Sequence, residues 1–416
     1  MNNVLIPTIN KERIINNYPL RTINIFNKKT ENSIISPIND CPPSDNNVGS
    51  NNCSSKQKDD NIDINNLRIT FVVPNPIKGS GGHRNIYRAV RYLRDRGHTI
   101  IVYYTETNLP PHKIKKRIND WYYDMHDVEY RKYTGVIEES DVAIATWWKT
   151  AYAVKNNLGK IRYPFYFVQD FEPSFYPVCS DYILAENTYR MGFSHICSGQ
   201  WCSNFLQTKY GAESDYFQFP VNASVYNTEK NKRTKINKNI IFFAKPEMDR
   251  RCYEIGIMAL KIVNKKRPDI EIILWGSNKV KATNIPFKVT IKGLLPSISD
   301  LANLYVNADL GIVFSTTNPS LVPYEMLSCG CPVVDLDIEG AIYKYGGSED
   351  RVFLFGPEPD KMAKQIIDAI DNDELLSHKA AEGKKWVNKE FPSEDEMGKM
   401  IHNMIINKIT TGRLFH

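Results

Sequence analysis

Three short stretches carry residue types suited to holding an anion. "GSGGHRN" places Gly79, Gly81 and Gly82 ahead of an amphipathic run. Glycines there leave backbone N–H groups open at a helix start, a generic anion site. "FFAKPEMDRRCYEIG" sets Lys245 just past an apolar strand, with Arg250 and Arg251 at the start of the next helix. Three cations near the carboxyl edge of a sheet suit phosphate oxygens. "STTNPSLVPYEMLSCGCPVV" runs from a strand end through a turn into a helix beginning near Leu321, with Ser320 as its N-cap. Free amides at Ser320, Leu321 and Val322 suit a diphosphate, and Glu325, one turn in, suits sugar hydroxyls. Each has a plainer alternative: a tight strand-to-helix turn, a solvated helix face, or a first-turn acid that complements the helix dipole.

Two familiar phosphate signatures are incomplete. G-x-G-x-x-G needs a third glycine where Arg84 stands, and a P-loop needs a terminal Gly-Lys-Ser/Thr that is absent. "FVQDFEP" holds Asp170 and Glu172 at a strand end, paired acids suited to acceptor hydroxyls or to steering a proton. Turn formation ahead of Pro173 is the plainer reading. His83 and His195 are lone histidines read first as structural, with His83 kept among the candidate site residues. "DLD" at 335–337 superficially matches a metal-binding DxD, but its place inside an apolar strand argues against a metal. The eight cysteines are scattered, with no CxxC pair and no histidine at zinc spacing, which suits reduced thiols in a cytosol-like compartment.

These groups need rigid elements to position them. "RITFVVP" reads as a strand buried on both faces, and Ile86, Ala89, Val90 and Leu93 follow at helical spacing until Gly97. "HTIIVYY" completes a βαβ start. Strands are expected at 142–147, 163–169, 195–199 and 215–222, with a helix around Trp201–Tyr210. A polar, basic run at 225–238 reads as a linker. A second alternating series begins at 239–245, and its first helix places Ile255, Met258, Ala259 and Ile262 on one face. Strands follow at 270–276, 287–293, 310–315, 332–337 and 351–356, with a helix near 299–307 and a short one ending at Gly330. Strand and helix alternate twice, which predicts two doubly wound, Rossmann-like α/β domains facing across a cleft. The expected divisions are a disordered tail at 1–66, a first domain at 67–224, the linker, a second domain at 239–390 and a C-terminal helix at 391–416.

The tail is rich in Asn, Ser, Asp and Pro, too polar to offset its ordering entropy. The whole chain, 416 residues with 42% apolar and 24% charged, has a globular composition. No apolar run approaches the roughly 18–20 residues that span a bilayer, and the N-terminus lacks a secretory pattern. A net charge of +6 is modest. The clusters "HKIKKR" (112–117) and "EKNKRTKINKN" (229–239) read as solvated surface, or as contact with an anionic membrane bearing a lipid-linked acceptor. No stacking-aromatic module or zinc finger accompanies them, so nucleic acid is not an expected partner.

The glycine turn with "RGHTIIVYY", then "FFAKPEMDRR" and "NPSLVPYEMLSCGCPVV", resembles glycosyltransferase family 4 with the two-domain GT-B fold. "YFVQDFEPSFYP", "PEMDRRCYEIG" and "PSLVPYEM" resemble more closely the WsaF-type rhamnosyltransferase branch. The similarity covers about 67–345. It implies that Lys245 matches the basic residue after the first donor-domain strand, and that Arg250 or Arg251 matches the second basic position. Glu325 matches the second acid of the E-x7-E motif, which holds the donor's ribose or deoxyribose. Gly81 and Gly82 match the glycines facing the diphosphate. Two departures stand out. Thr317 replaces the first acid, and Leu294 stands where the branch has a lysine after the glycine matching Gly293, with Lys292 the available substitute.

The resemblance implies a retaining, metal-independent cytoplasmic transferase without a cofactor. It moves a hexose or deoxyhexose, L-rhamnose from a dTDP donor or another nucleotide sugar, to a glycan or lipid-linked glycan in polysaccharide biosynthesis. Lys245, Arg250, Glu325 and Asp170 are its expected catalytic residues. Gly81, Gly82, Arg251, Ser320, Leu321 and Val322 are expected at the donor, and Glu172 and His83 at the acceptor. A non-catalytic nucleotide-sugar or glycan-binding protein is the alternative, favoured by Thr317. An NAD-dependent oxidoreductase is disfavoured by Arg84 and by the lack of a catalytic Tyr-Lys or His pair.

Overall fold

The computed structural model describes residues 62–227 and 238–414. Most of the 1–66 tail and of the 225–238 linker lies outside the described residues.

The first half builds β1 (Arg68–Val73), α1 (Gly81–Asp95), β2 (Thr99–Tyr104), α2 (Pro111–Trp121), β3 (Glu129–Lys132), β4 (Ser140–Ala145), α3 (Trp148–Lys155), β5 (Ile161–Val168), α4 (Ser180–Thr188), β6 (Ser194–Ser198), α5 (Gln200–Tyr210) and β7 (Ser214–Phe217). The second builds β8 (Asn239–Phe243), α6 (Tyr253–Lys266), β9 (Glu271–Trp275), β10 (Thr290–Gly293), α7 (Ile298–Val306), β11 (Leu310–Ile312), α8 (Val322–Ser328), β12 (Val333–Leu336) and β13 (Phe353–Phe355). Three helices close the chain: α9 (Pro359–Asp371), α10 (Asp373–Glu390) and α11 (Glu394–Thr411).

The strands form two sheets, ordered β3-β2-β1-β4-β5-β6-β7 and β10-β9-β8-β11-β12-β13. All neighbours are parallel, with β1 flanked by β2 and β4 and β8 flanked by β9 and β11. Each order reverses beside the first strand of its sheet, which opens a crevice at the carboxyl ends there. Helices cover both faces, so the strands are apolar throughout: Ile69, Phe71 and Val73 enter one core and Val72 the other. The expected doubly wound pair is what the chain builds.

α1 forms as its spacing requires, with Ile86, Ala89, Val90 and Leu93 at most 2% exposed. Ser80 caps its start, its Oγ accepting from His83 N at 3.3 Å. Gly97 follows its end at φ 98°, a left-handed conformation that favours glycine. The glycine "turn" is therefore partly helix, since Gly81 and Gly82 already belong to the first turn.

Other expectations need correction. On α6 the buried face is Gly256, Ala259, Leu260 and Val263, while Met258 is exposed. Gly256 decides the rotation: a Cβ there would lie 2.3 Å from Phe242 Cζ, so the backbone itself seats on β8. Strand β3 escaped the sequence reading because its "EYRK" is a short, charged edge strand. The "HKIKKR" cluster lies on α2, which buries Ile114 and Ile118. Lys116 pairs with Asp120 at 3.1 Å and Arg117 covers Trp121 at 5.4 Å, consistent with a solvated face. The C-terminal helix expected at 391–416 forms as α11. It crosses to the first domain, adding Met397, Ile401, Met404 and Ile405 to the core under α1.

Candidate functional site

At the carboxyl edge of the second sheet, Lys245 leaves β8 with Nζ 5.4 Å from the Phe243 ring centre and 3.6 Å from Glu247 Oε1. Arg250 and Arg251 do not open α6. They sit in a 3-10 turn, Asp249–Arg251, that Cys252 closes at φ 47°. This turn sends the two guanidinium groups into the seam between the domains.

Arg251 is 4% exposed, and its Nε and Nη1 have no hydrogen-bond partner among the described residues. Burial, with Arg250 beside it, pulls its pKa down to about 10 against the pull of Asp170 and Asp335. Arg250 stacks 4.6 Å from the Phe175 ring centre, with Nε 3.2 Å from Asp170 Oδ2. That pair is close enough to attract, but its N–H is not aimed at the oxygen. Among the described residues, Asp170 is the one carboxylate within ion-pair reach of Arg250, and Arg251 has none.

The loop after β11 faces the same seam. Asn318 reaches into the first domain, where Nδ2 donates to Gln169 O at 2.9 Å and Ser198 O at 2.6 Å. Its backbone N–H donates to Asp170 Oδ1 at 3.0 Å. Thr317, where the resemblance expects an acid, is buried, and its hydroxyl has no partner among the described residues. Behind the loop, Asp335 accepts from Ser315 N at 2.9 Å and lies 3.3 Å from the buried Lys344 ammonium. Asp335 of "DLD" therefore belongs to an internal ion pair. Among the described residues, no three His, Cys, Asp or Glu side chains converge on a common point.

α8 starts at Val322 rather than Leu321, with Leu321 as N-cap. Ser320 is not the cap, although its Oγ accepts weakly from Val322 N at 3.4 Å. The helix has seven residues, so its terminal field is small, and one of the three expected free amides is engaged locally. Glu325 is partly buried. Burial pushes its carboxyl up to about 7, against Tyr226 and the cations Arg88 and Arg84 of the first domain.

In the first domain, Gly82 seats against Gln169, whose Nε2 donates to Gly82 O at 3.0 Å. A Cβ there would come 3.3 Å from Gln169 Nε2, so the glycine secures a close approach between α1 and the end of β5. Gly81 has open space around it. His83 is 7% exposed and held by Ser80, with Nδ1 3.0 Å from Oγ. Burial lowers its pKa to about 4, so its ring is neutral. His195 is likewise buried in β6, with Nδ1 3.0 Å from Glu213 O.

The paired acids separate. Glu172 turns inward, its Oε2 accepting from Trp148 N at 2.7 Å at the head of α3, and burial pushes its carboxyl up to about 8. It is 4% exposed and belongs to the first domain's interior rather than to an acceptor. Asp170 faces the seam with both oxygens engaged, Oδ1 by Phe171 N and Asn318 N and Oδ2 by Arg250. The structure thus groups Asp170, Arg250, Arg251 and Thr317–Asn318 at one place, and Glu325 with Tyr226, Arg84 and Arg88 at another. Lys292 joins neither. It is exposed on edge strand β10, in a depression shared with Asn239, Asp300 and Asn307. Asn318 and Lys344 were missed because their partners lie far along the chain and no local pattern announces them.

The profile of the WsaF N-terminal domain matches residues 107–198, and that of the WsaF C-terminal domain matches 238–367. Together they cover more than half of the chain.

The chain belongs to the WsaF family.

An O-antigen biosynthesis protein, RfbC of Myxococcus xanthus, is 30% identical over 238 residues. That alignment takes in 56% of this WsaF-family chain but 18% of the relative, so the chain matches about a fifth of that protein's length. Among solved structures, Anabaena HepE in complex with UDP and glucose superposes with a TM-score of 0.61 at 15% identity, covering 82% of this chain and 99% of HepE. TarM gives 0.65 at 9% identity over 84% and 100%. Sucrose-phosphate synthase of Thermosynechococcus elongatus gives 0.60 at 12% over 83% and 100%. These likenesses establish the fold of the WsaF-family chain: two parallel-sheet α/β domains of the GT-B type. No helix among its described residues is long and apolar enough to cross a membrane.

Proposed function

We propose that this WsaF-family chain is a glycosyltransferase that moves a hexose or deoxyhexose from a nucleotide diphosphate sugar to a glycan acceptor. The observation that carries the proposal is the positive charge of Arg251, buried beside Arg250 at the carboxyl edge of the second sheet with no ion-pair partner among the described residues. A buried guanidinium whose nearest carboxylates, Asp170 and Asp335, stand beyond ion-pair distance is unfavourable. A diphosphate that brings its own charge relieves it. The UDP and glucose named for HepE, and the O-antigen role named for RfbC, support the same class of donor and product.

Transfer develops negative charge on the departing diphosphate. In this reading Lys245, Arg250 and Arg251 stabilise it, each well-placed donor contributing about 3 kcal/mol to the transition state. The contribution from α8 is smaller, because the helix is two turns long. Glu325 accepts from the ribose or deoxyribose hydroxyls when ionised. L-rhamnose from a dTDP donor is the preferred sugar, with retention at the anomeric carbon, no metal requirement and peripheral membrane contact at a lipid-linked acceptor. These finer points rest on the sequence resemblance.

The test is a thermal-shift screen of dTDP-rhamnose, UDP-glucose and related donors, because a ligand that binds the native state raises its apparent stability. Transfer is then assayed with and without EDTA, with NMR of the product's anomeric proton. A chain stabilised by no nucleotide sugar would overturn the proposal. A second reading, a nucleotide-sugar-binding protein without turnover, is favoured by Thr317 in place of an acid. Donor binding without donor hydrolysis or transfer would support it.

A further inference from the structure

Across the seam, Asp170 and Arg250 make a contact whose geometry is poor. Two guanidinium groups lie side by side; among the described residues Asp170, from the other domain, is the one carboxylate within ion-pair reach of Arg250, while Asp170 and Asp335 act on Arg251 from farther off. Asp170 Oδ1 is firmly held by two backbone N–H groups, from Phe171 at 2.9 Å and Asn318 at 3.0 Å. Oδ2, by contrast, meets Arg250 Nε at 3.2 Å with the N–H misdirected. The carboxylate is thus fixed in place while its contact with the cation is poor and easily exchanged. Arg250 is preset by its stacking on Phe175 and by its backbone carbonyl, which accepts from Thr316 N at 3.0 Å. It can give up the carboxylate without giving up its position.

We infer that Asp170 is a positioning residue that competes with the donor's diphosphate for Arg250. In the ligand-free protein it stands in for a phosphate oxygen across the domain seam. When a nucleoside diphosphate arrives, its oxygens take Arg250 from Oδ2, and Asp170 keeps its two backbone partners. The exchange ties donor binding to the loss of one electrostatic contact between the domains, while the Asn318 bonds to Gln169 O and Ser198 O persist. Asp170 thereby weakens the site's hold on its ligand, while Phe175 and the Thr316 N–H keep Arg250 in place.

This proposal rests on the donor reading above, and its test separates the two. UDP and dTDP are titrated calorimetrically into the wild-type protein and into Asp170→Asn. The amide keeps an oxygen for Phe171 N and Asn318 N and removes the charge that faces Arg250. The expected result is a Kd lower by about fivefold or more, the lower range of coupling between interacting sites. The gain should disappear when Arg250→Gln is combined with Asp170→Asn, which a merely structural role for Asp170 would not produce. An unchanged or weaker affinity in Asp170→Asn overturns the proposal while leaving the donor reading intact. A wild-type protein that binds neither nucleotide removes both. Should the asparagine variant melt early, Asp170→Ser, smaller and also neutral, carries the same comparison.

Discussion

Lys245 and Glu325 are similar in sequence context, each a charged residue just past a strand or helix start, yet their surroundings differ. Lys245 keeps an ion-pair partner in Glu247 and an aromatic face in Phe243. Lys245→Ala should lower kcat by about 100-fold, the effect of losing one electrostatic donor from a preorganised site. Steady-state kinetics with the best donor checks this, and an unchanged kcat removes Lys245 from the mechanism. Glu325 is pushed up to about 7 by burial, so it is largely protonated at pH 6 and ionised at pH 8. Donor affinity should therefore rise across that interval, and Glu325→Gln should flatten the profile at the weaker, low-pH value. The stability effect has the opposite sign. A carboxyl whose folded pKa is raised stabilises fully below its unfolded value and loses that contribution as pH rises through about 7. Melting temperatures of Glu325→Gln should fall less between pH 5 and 8 than those of the wild type.

At the scale of elements, α11 shows how far a helix can end up from its neighbours in sequence. Its first turn meets α1 through Arg88 and Glu394 at 2.7 Å and Arg91 and Asp395 at 2.9 Å. Its last turn meets β7's approach through Lys408 and Glu213 at 2.7 Å. Between them Gly398 admits Tyr92, and a Cβ there would lie 2.3 Å from Tyr92 Cγ. Gly398→Ala should cost about 1–3 kcal/mol as an overpacked contact. Denaturant unfolding measures this, and hydrogen exchange should show faster opening along α11. A fully wild-type unfolding curve would mean the two helices separate without cost. The parallel strands were legible because burial on both faces leaves a continuous apolar run. The rotation of α6 was not, since it depends on Phe242 occupying the space above Gly256.

At the scale of the whole molecule, the two domains meet through polar groups at the ends of β5, β6 and β11. Asn318 is the centre of that contact, with two side-chain bonds and one backbone bond to the first domain. Asn318→Ala leaves two buried carbonyls without those partners, so stability should fall by about 1–3 kcal/mol. Small-angle scattering of the ligand-free variant should show a larger radius of gyration than the wild type. Equal radii would mean that other contacts hold the domains together.

The sequence alone determined the two-domain α/β plan, the amphipathic helix carrying Ile86 to Leu93, the three cations that follow β8 and the short helix carrying Glu325. These depend on local periodicity and composition, which neighbouring residues carry by themselves. Only the tertiary structure decided that Glu172 turns inward, that Asp335 pairs with Lys344, and that Asp170 meets Arg250 from the other domain. Such pairings depend on which buried charges and unsatisfied peptide groups the packing brings together across gaps of tens to hundreds of residues, and no local pattern encodes that.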